Sequence, residues 1–82
     1  MLVILSEDAR KQYEHLPKKD QIKIRKKLMV LQDEPIAGKK LSGELERIRS
    51  YLAWPYRILY EVNYTKKRVE VLKTAHRQGV YR

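Results

Sequence analysis

The chain has 82 residues, with 19 Lys and Arg against 10 Asp and Glu and a formal net charge of +9. That length predicts a single domain over residues 1–82 that buries only about 60–65% of the surface its unfolded chain exposes. The charge excess points to a polyanionic partner such as nucleic acid, an acidic protein or an anionic membrane. Cysteine is absent, which excludes disulfides, thiol nucleophiles and thiolate zinc sites, and two histidines fall short of a multi-histidine metal cage. No metal or cofactor is therefore expected, and any catalysis must use nitrogen and oxygen groups. The basic residues are spread along the chain, ten against six acids in residues 1–41 and nine against four in 42–82, so no basic arm is implied.

In chain order, Leu2 to Leu5 form a β-prone apolar run that predicts a first strand. Ser6-Glu7-Asp8 follows at once, so the run is too short and wrongly flanked for a signal peptide or membrane span, and a cytoplasmic protein is expected. Ser6 suits a helix N-cap, and Glu7 and Asp8 suit the positive end of the helix dipole, predicting a short helix over about 7–15 with Ala9, Tyr13 and Leu16 inward. His15 at its end is read as a favourable dipole contact. Pro17 is suited to open a second helix, in which Ile24, Leu28 and Leu31 recur on one face. Ile22 and Met29 are expected to widen that face, and Lys19, Lys23, Lys26 and Lys27 to form a basic flank. Glu34-Pro35 stops the helix, and Ile36 to Lys40 is a loop whose Gly38-Lys39-Lys40 is suited to approach phosphate.

After Ser42-Gly43 the pattern changes to short strands: Leu45 to Leu52, Tyr56 to Asn63 and Arg68 to Thr74, with Asn63 to Lys67 as the last turn. The expected fold is α+β, with an N-terminal strand, a two-helix hairpin and a three-stranded antiparallel meander, the helices covering one face of the sheet. Alternation places Tyr56, Ile58, Tyr60, Val62, Val69, Val71 and Ile48 inward. By the same parity Arg47, Arg49 and Arg57 point outward, and extending the last strand brings His76 to that face with Leu72 and Thr74. Arg57 is equally suited to an ion pair with Glu61, and Arg47 and Arg49 to ion pairs with Glu70. Trp54, before Pro55, either stacks on a base or caps the core.

The C-terminal run His76-Arg77-Gln78-Gly79-Val80-Tyr81-Arg82 crowds an imidazole, two guanidiniums and a phenol into seven residues. Such groups move protons near neutral pH, grip phosphoryl oxygens and donate or stack, a set suited to metal-free chemistry on RNA. The order of elements, together with Ala9 to Pro17, Pro35 to Gly43, Pro55 to Val62 and this tail, resembles the RelE/ParE superfamily of bacterial and archaeal toxins over essentially the whole chain. The resemblance implies a toxin of a type II toxin-antitoxin system, neutralised by a RelB-like antitoxin that wraps it.

The superfamily divides between RelE-like ribosome-dependent mRNA endonucleases and ParE-like inhibitors of DNA gyrase that carry out no chemistry themselves. The resemblance of the Tyr56-Arg57 strand and of the His-Arg…Val-Tyr ending favours the endonuclease, acting on mRNA in the ribosomal A site. It implies Arg57 and Arg77 as stabilisers of the phosphorane, His76 as acid or base, and Tyr81 as a stacking or proton-donating group. Arg47 and Arg49 resemble the paired basic residues of the preceding strand and would position RNA with Lys39, Lys40 and Trp54. Thr74-Ala75-His76 departs from the pattern by lacking the Gly that many relatives have before the His. The 2′-hydroxyl would attack, leaving a 2′,3′-cyclic phosphate and a 5′-hydroxyl.

Overall fold

In the computed structural model, residues 1–43 and 47–76 are described. They form β1 (Leu2–Leu5), α1 (Glu7–Glu14), α2 (Lys18–Asp33), β2 (Lys39–Lys40), β3 (Ile48–Ala53), β4 (Tyr56–Asn63) and β5 (Arg68–His76). The strands make one mixed sheet in the order β1-β5-β4-β3-β2, with β1 parallel to β5 and the other pairs antiparallel. The α+β fold read from the sequence is therefore borne out. It gains β2, which the sequence presents as loop and which pairs Lys39 with Ser50 and Lys40 with Arg49. No helix among the described residues is long and apolar enough to cross a membrane.

Ser6 shows how local sequence sets the architecture. Its Oγ accepts from the amide of Ala9 at 3.0 Å, capping α1, and donates to the Leu72 carbonyl at 3.1 Å, while its own amide donates to the Val71 carbonyl at 2.8 Å. One residue thus starts the helix and ties it to β5. Ala9 is fully buried, and Tyr13 and Leu16 pack on the core, as the helical spacing predicts. At the end of α1, His15 Nδ1 hydrogen-bonds the Lys11 carbonyl at 2.7 Å.

In α2, Ile24 and Leu31 are fully buried and Leu28 packs against them. Ile22 and Met29 do not widen that face: they are 48% and 59% exposed. At about 100° per residue, each lies too far round the helix from the Ile24–Leu28–Leu31 stripe to reach the sheet. Pro17 stands at the cap and not in the first turn, its carbonyl accepting from the amides of Asp20 and Gln21.

The register of the sheet decides which side chains share a face. β3 and β4 are joined by Trp54-Pro55 alone, with Ala53 opposite Tyr56. Since opposed residues project to one side, Tyr51 and Arg49 join Ile58 and Tyr60 on the helix side, and Ile48 and Ser50 join Glu61 and Leu59 on the other. Lys27 of α2 over the Tyr51 ring, 5.3 Å from its centroid, confirms that orientation. The expectation that Ile48 points inward and Arg47 and Arg49 lie outward with Arg57 is therefore corrected for Ile48 and Arg49: a two-residue connection leaves no room for the parity it assumed.

A second reversal occurs in β5. Leu59 pairs with Lys73 but Tyr60 with Val71, so Leu72 is an extra residue, a β-bulge. Beyond it Thr74 turns inward and is fully buried, its Oγ1 donating to the Ala9 carbonyl at 2.9 Å and its amide donating to Gln12 Oε1 at 2.9 Å. With Ser6 on the Leu72 carbonyl, the N-cap and α1 together tie down the bulged segment through hydrogen bonds. His76 follows Thr74 to the helix side and does not join Arg57, because the bulge inverts the alternation.

Candidate nucleic-acid interface

Arg57 lies on the helix-free face, where its Nη1 donates to Ser50 Oγ at 3.2 Å. Among the described residues the ion pairs are Arg10–Glu14, Lys11–Glu7 and Arg68–Glu70. The pairing of Arg57 with Glu61 that alternation allows is thus replaced by a hydroxyl contact, and Glu70 is taken by Arg68 at 2.7 Å instead of by Arg47 or Arg49. Ser50 is nearly buried, so Arg57 is anchored to a fixed point of the sheet.

Arg49 is held on the opposite side. Its Nη1 donates to the Gly38 carbonyl at 2.9 Å and lies 3.4 Å from the Ile36 carbonyl. The same loop is gripped from below by Tyr60, whose buried hydroxyl donates to the Pro35 carbonyl at 2.7 Å and accepts from the Gly38 amide at 2.8 Å. Two side chains from neighbouring strands therefore fix the segment that leads into Lys39 and Lys40.

Burial of the Tyr60 phenol raises its pKa above the ordinary value near 10. The neutral phenol is the form the fold accommodates, so its contribution is complete below pH ~10 and is lost as pH rises through the raised folded value. Tyr60→Phe should lower stability at pH 7 by about 1–3 kcal/mol, because a buried amide and carbonyl lose their partner. Urea denaturation should show this gap narrowing above pH ~10. A gap that widens there would contradict the assignment.

Lys40, Arg47 and Arg49 converge with Glu61, Val62 and Tyr64 around an open cleft of about 520 Å³ where β4 runs into the β4–β5 turn. Lys40 and Arg47 are exposed. Lys39 pairs with Ser50 and so projects to the other side of β2 from Lys40. His76 stands at the far end of the sheet, opposite Tyr56, with the two rings edge to face at 6.0 Å between centroids. Tyr56 donates to Asp20 Oδ2 on α2 at 2.7 Å, a contact that raises the phenol's pKa together with burial. Trp54 is 56% exposed at this same end, and its carbonyl accepts from Lys23 Nζ at 2.8 Å. Arg77 and Tyr81 lie outside the described residues, as do residues 44–46.

The sequence-read set therefore separates into a cationic cleft holding Lys40, Arg47 and Arg49, an anchored Arg57 on the open face, and His76 with Trp54 at the opposite end. Sequence reasoning missed Ser50 as the anchor of Arg57. It also missed Tyr64, whose signal was an aromatic beside the basic turn pair Lys66-Lys67.

The family model of the ParE toxin of type II toxin-antitoxin systems, parDE, matches residues 3–81. The chain belongs to that family. The toxin is thus a member of the RelE/ParE superfamily, as its motifs imply. Its fold is similar to a chain of the RelBE2 toxin-antitoxin complex from Mycobacterium tuberculosis, at 28% identity and TM-score 0.85, covering 93% of this chain and 96% of that one. A variant of the E. coli toxin RelE in complex with an antitoxin peptide is 26% identical, covers 98% and 88% of the two chains and gives a TM-score of 0.77. The YoeB/ParE toxin from Agrobacterium tumefaciens shares the fold at 20% identity and TM-score 0.81, over 93% and 98% of the chains. Comparison with curated proteins found no match.

Proposed function

We propose that this toxin is a ribosome-dependent endoribonuclease that cleaves mRNA in the A site without metal and so arrests translation. The observation that supports this reading most is the Arg57–Ser50 contact, which holds a guanidinium on the helix-free face of a +9 chain similar to RelE toxins. In the reaction the 2′-hydroxyl loses its proton and attacks the adjacent phosphorus, and the 5′-oxygen leaves as it gains a proton. Arg57 stabilises the phosphorane charge. His76 lies at the same end of the sheet, on the strand neighbouring Arg57 but turned to the helix side, and it is assigned proton transfer as acid or base on the family resemblance. Arg77 is assigned a second phosphate contact and Tyr81 stacking or proton donation, both on the family resemblance. Arg47, Arg49, Lys39, Lys40 and Trp54 bind RNA, and the toxin is held inactive by a RelB-like antitoxin.

The family assignment gives one specific reason for a second reading, in which the toxin blocks DNA gyrase by binding alone. Expression under tight induction, with transcript 5′ ends mapped and gyrase supercoiling assayed in parallel, separates them. In-frame cuts within translated mRNA support the nuclease; intact mRNA with inhibited supercoiling replaces it with the gyrase inhibitor. His76→Gln should lower single-turnover cleavage by about 10²-fold or more, as expected for loss of general acid–base catalysis. Retained cleavage would remove the imidazole from the mechanism.

A further inference from the structure

Tyr64 is 64% exposed in the β4–β5 turn, and it lines the same cleft as Lys40, Arg47 and Arg49. An aromatic ring left in water gains nothing from the core, whereas a ring beside converging cations is the arrangement that single-stranded nucleic acid uses: charge tracks the phosphates and the ring stacks a base. Arg49 is already fixed by the Gly38 and Ile36 carbonyls, so little side-chain freedom is lost when it meets a phosphate. The cleft volume of about 520 Å³ falls within the range of ligand-sized clefts, roughly 300–1,000 Å³. Glu61 is its one acidic lining residue among those described, and it supplies an acceptor suited to a 2′-hydroxyl or an exocyclic amine.

We infer that this cleft is a binding site for single-stranded RNA, with Tyr64 stacking on one base and Lys40, Arg47 and Arg49 contacting the flanking phosphates. It rests on the reading of the toxin as an RNA-directed protein and adds a site set apart from Arg57. Glu61 is four residues along β4 from Arg57, about 13 Å at strand rise. The site therefore holds nucleotides flanking the reacting phosphate. A duplex is a poor occupant, because its bases are already stacked on one another.

The test is fluorescence anisotropy of a labelled eight-nucleotide single-stranded RNA with the full chain carrying Arg57→Ala, which permits its expression. Tyr64→Ala in this background should weaken binding by about 10-fold or more, and Tyr64→Phe, which keeps the ring, should not. Arg47→Ala should reduce the slope of log K against log salt by about 0.7. Equal melting temperatures would certify the fold of each variant. Binding unchanged within about 2-fold in Tyr64→Ala would overturn the site, as would equal affinity for a duplex or a Tyr64-dependent preference for a poly-glutamate peptide. Ribosome-dependent cleavage is scored separately with the Arg57-containing chain. Cleavage without Tyr64-dependent RNA binding removes the cleft and leaves the nuclease; Tyr64-dependent binding by a chain that inhibits gyrase removes the nuclease and leaves the cleft.

Discussion

Gly38→Ala is expected to cost about 2–4 kcal/mol of stability, combining overpacking with loss of buried hydrogen bonds. A Cβ at this position would stand 2.6 Å from Tyr60 Oη and 2.7 Å from Tyr60 Cε1. Neither atom has room to retreat, because Tyr60 is fully buried and its hydroxyl is engaged on both sides by Pro35 and Gly38. Relief requires the loop to lift, which breaks both Tyr60 hydrogen bonds and withdraws the Gly38 carbonyl from Arg49. For a chain of this size the melting temperature should fall on the order of 10–25 °C. Gly43 supplies the contrast: its φ is +68° and a Cβ there meets nothing within 4 Å. Gly43→Ala should therefore cost only the backbone strain, about 1 kcal/mol. Thermal unfolding of the two variants side by side decides the matter, and a Gly38→Ala melt within 3 °C of wild type, on the ~4–8 °C per kcal/mol scale, would show that the loop yields freely.

The constraint on Gly38 was not legible in the sequence, where Gly38-Lys39-Lys40 reads as a loop suited to phosphate. Its partner lies 22 residues away, and local pattern carries no information at that separation. What pattern did carry was local and repeated: the Ser6 cap, the Ala9–Tyr13–Leu16 and Ile24–Leu28–Leu31 stripes, and the alternation of Tyr56, Ile58 and Tyr60. These produced the helical hairpin and the meander correctly. The faces of Arg49 and His76 were lost at two points where one residue changes the count. The Trp54-Pro55 connection fixes β3 by geometry and not by hydrophobicity, so Ile48, apolar yet outward, misled the reading. The Leu72 bulge is stabilised by Ser6 and the adjoining Thr74 amide by Gln12, each more than 60 residues distant in sequence. For a sheet that presents its cations on both faces, register is functional information, and here it depends on helix side chains.

Arg57→Ala should lower mRNA cleavage by about 10²–10³-fold, the usual loss when one donor to a developing oxyanion is removed. The effect on folding should be small. The side chain is half-buried and makes a single 3.2 Å bond to a neutral hydroxyl, worth about 1 kcal/mol, and removing it opens no cavity in the main core. Toxicity and stability are therefore expected to part company at this position, unlike at Gly38. The anchoring hydroxyl permits a graded test. Ser50→Ala keeps the guanidinium but frees its orientation, so single-turnover cleavage should fall by about 10-fold while substrate affinity holds, the signature of lost positioning. Arg57→Lys keeps the charge but loses the planar fork and should recover only part of the rate. If Arg57→Ala remained folded and fully toxic, phosphorane stabilisation by this residue would be refuted. A loss shared equally by Ser50→Ala and Arg57→Ala would instead mean that the contact maintains the sheet surface and does not act on phosphate.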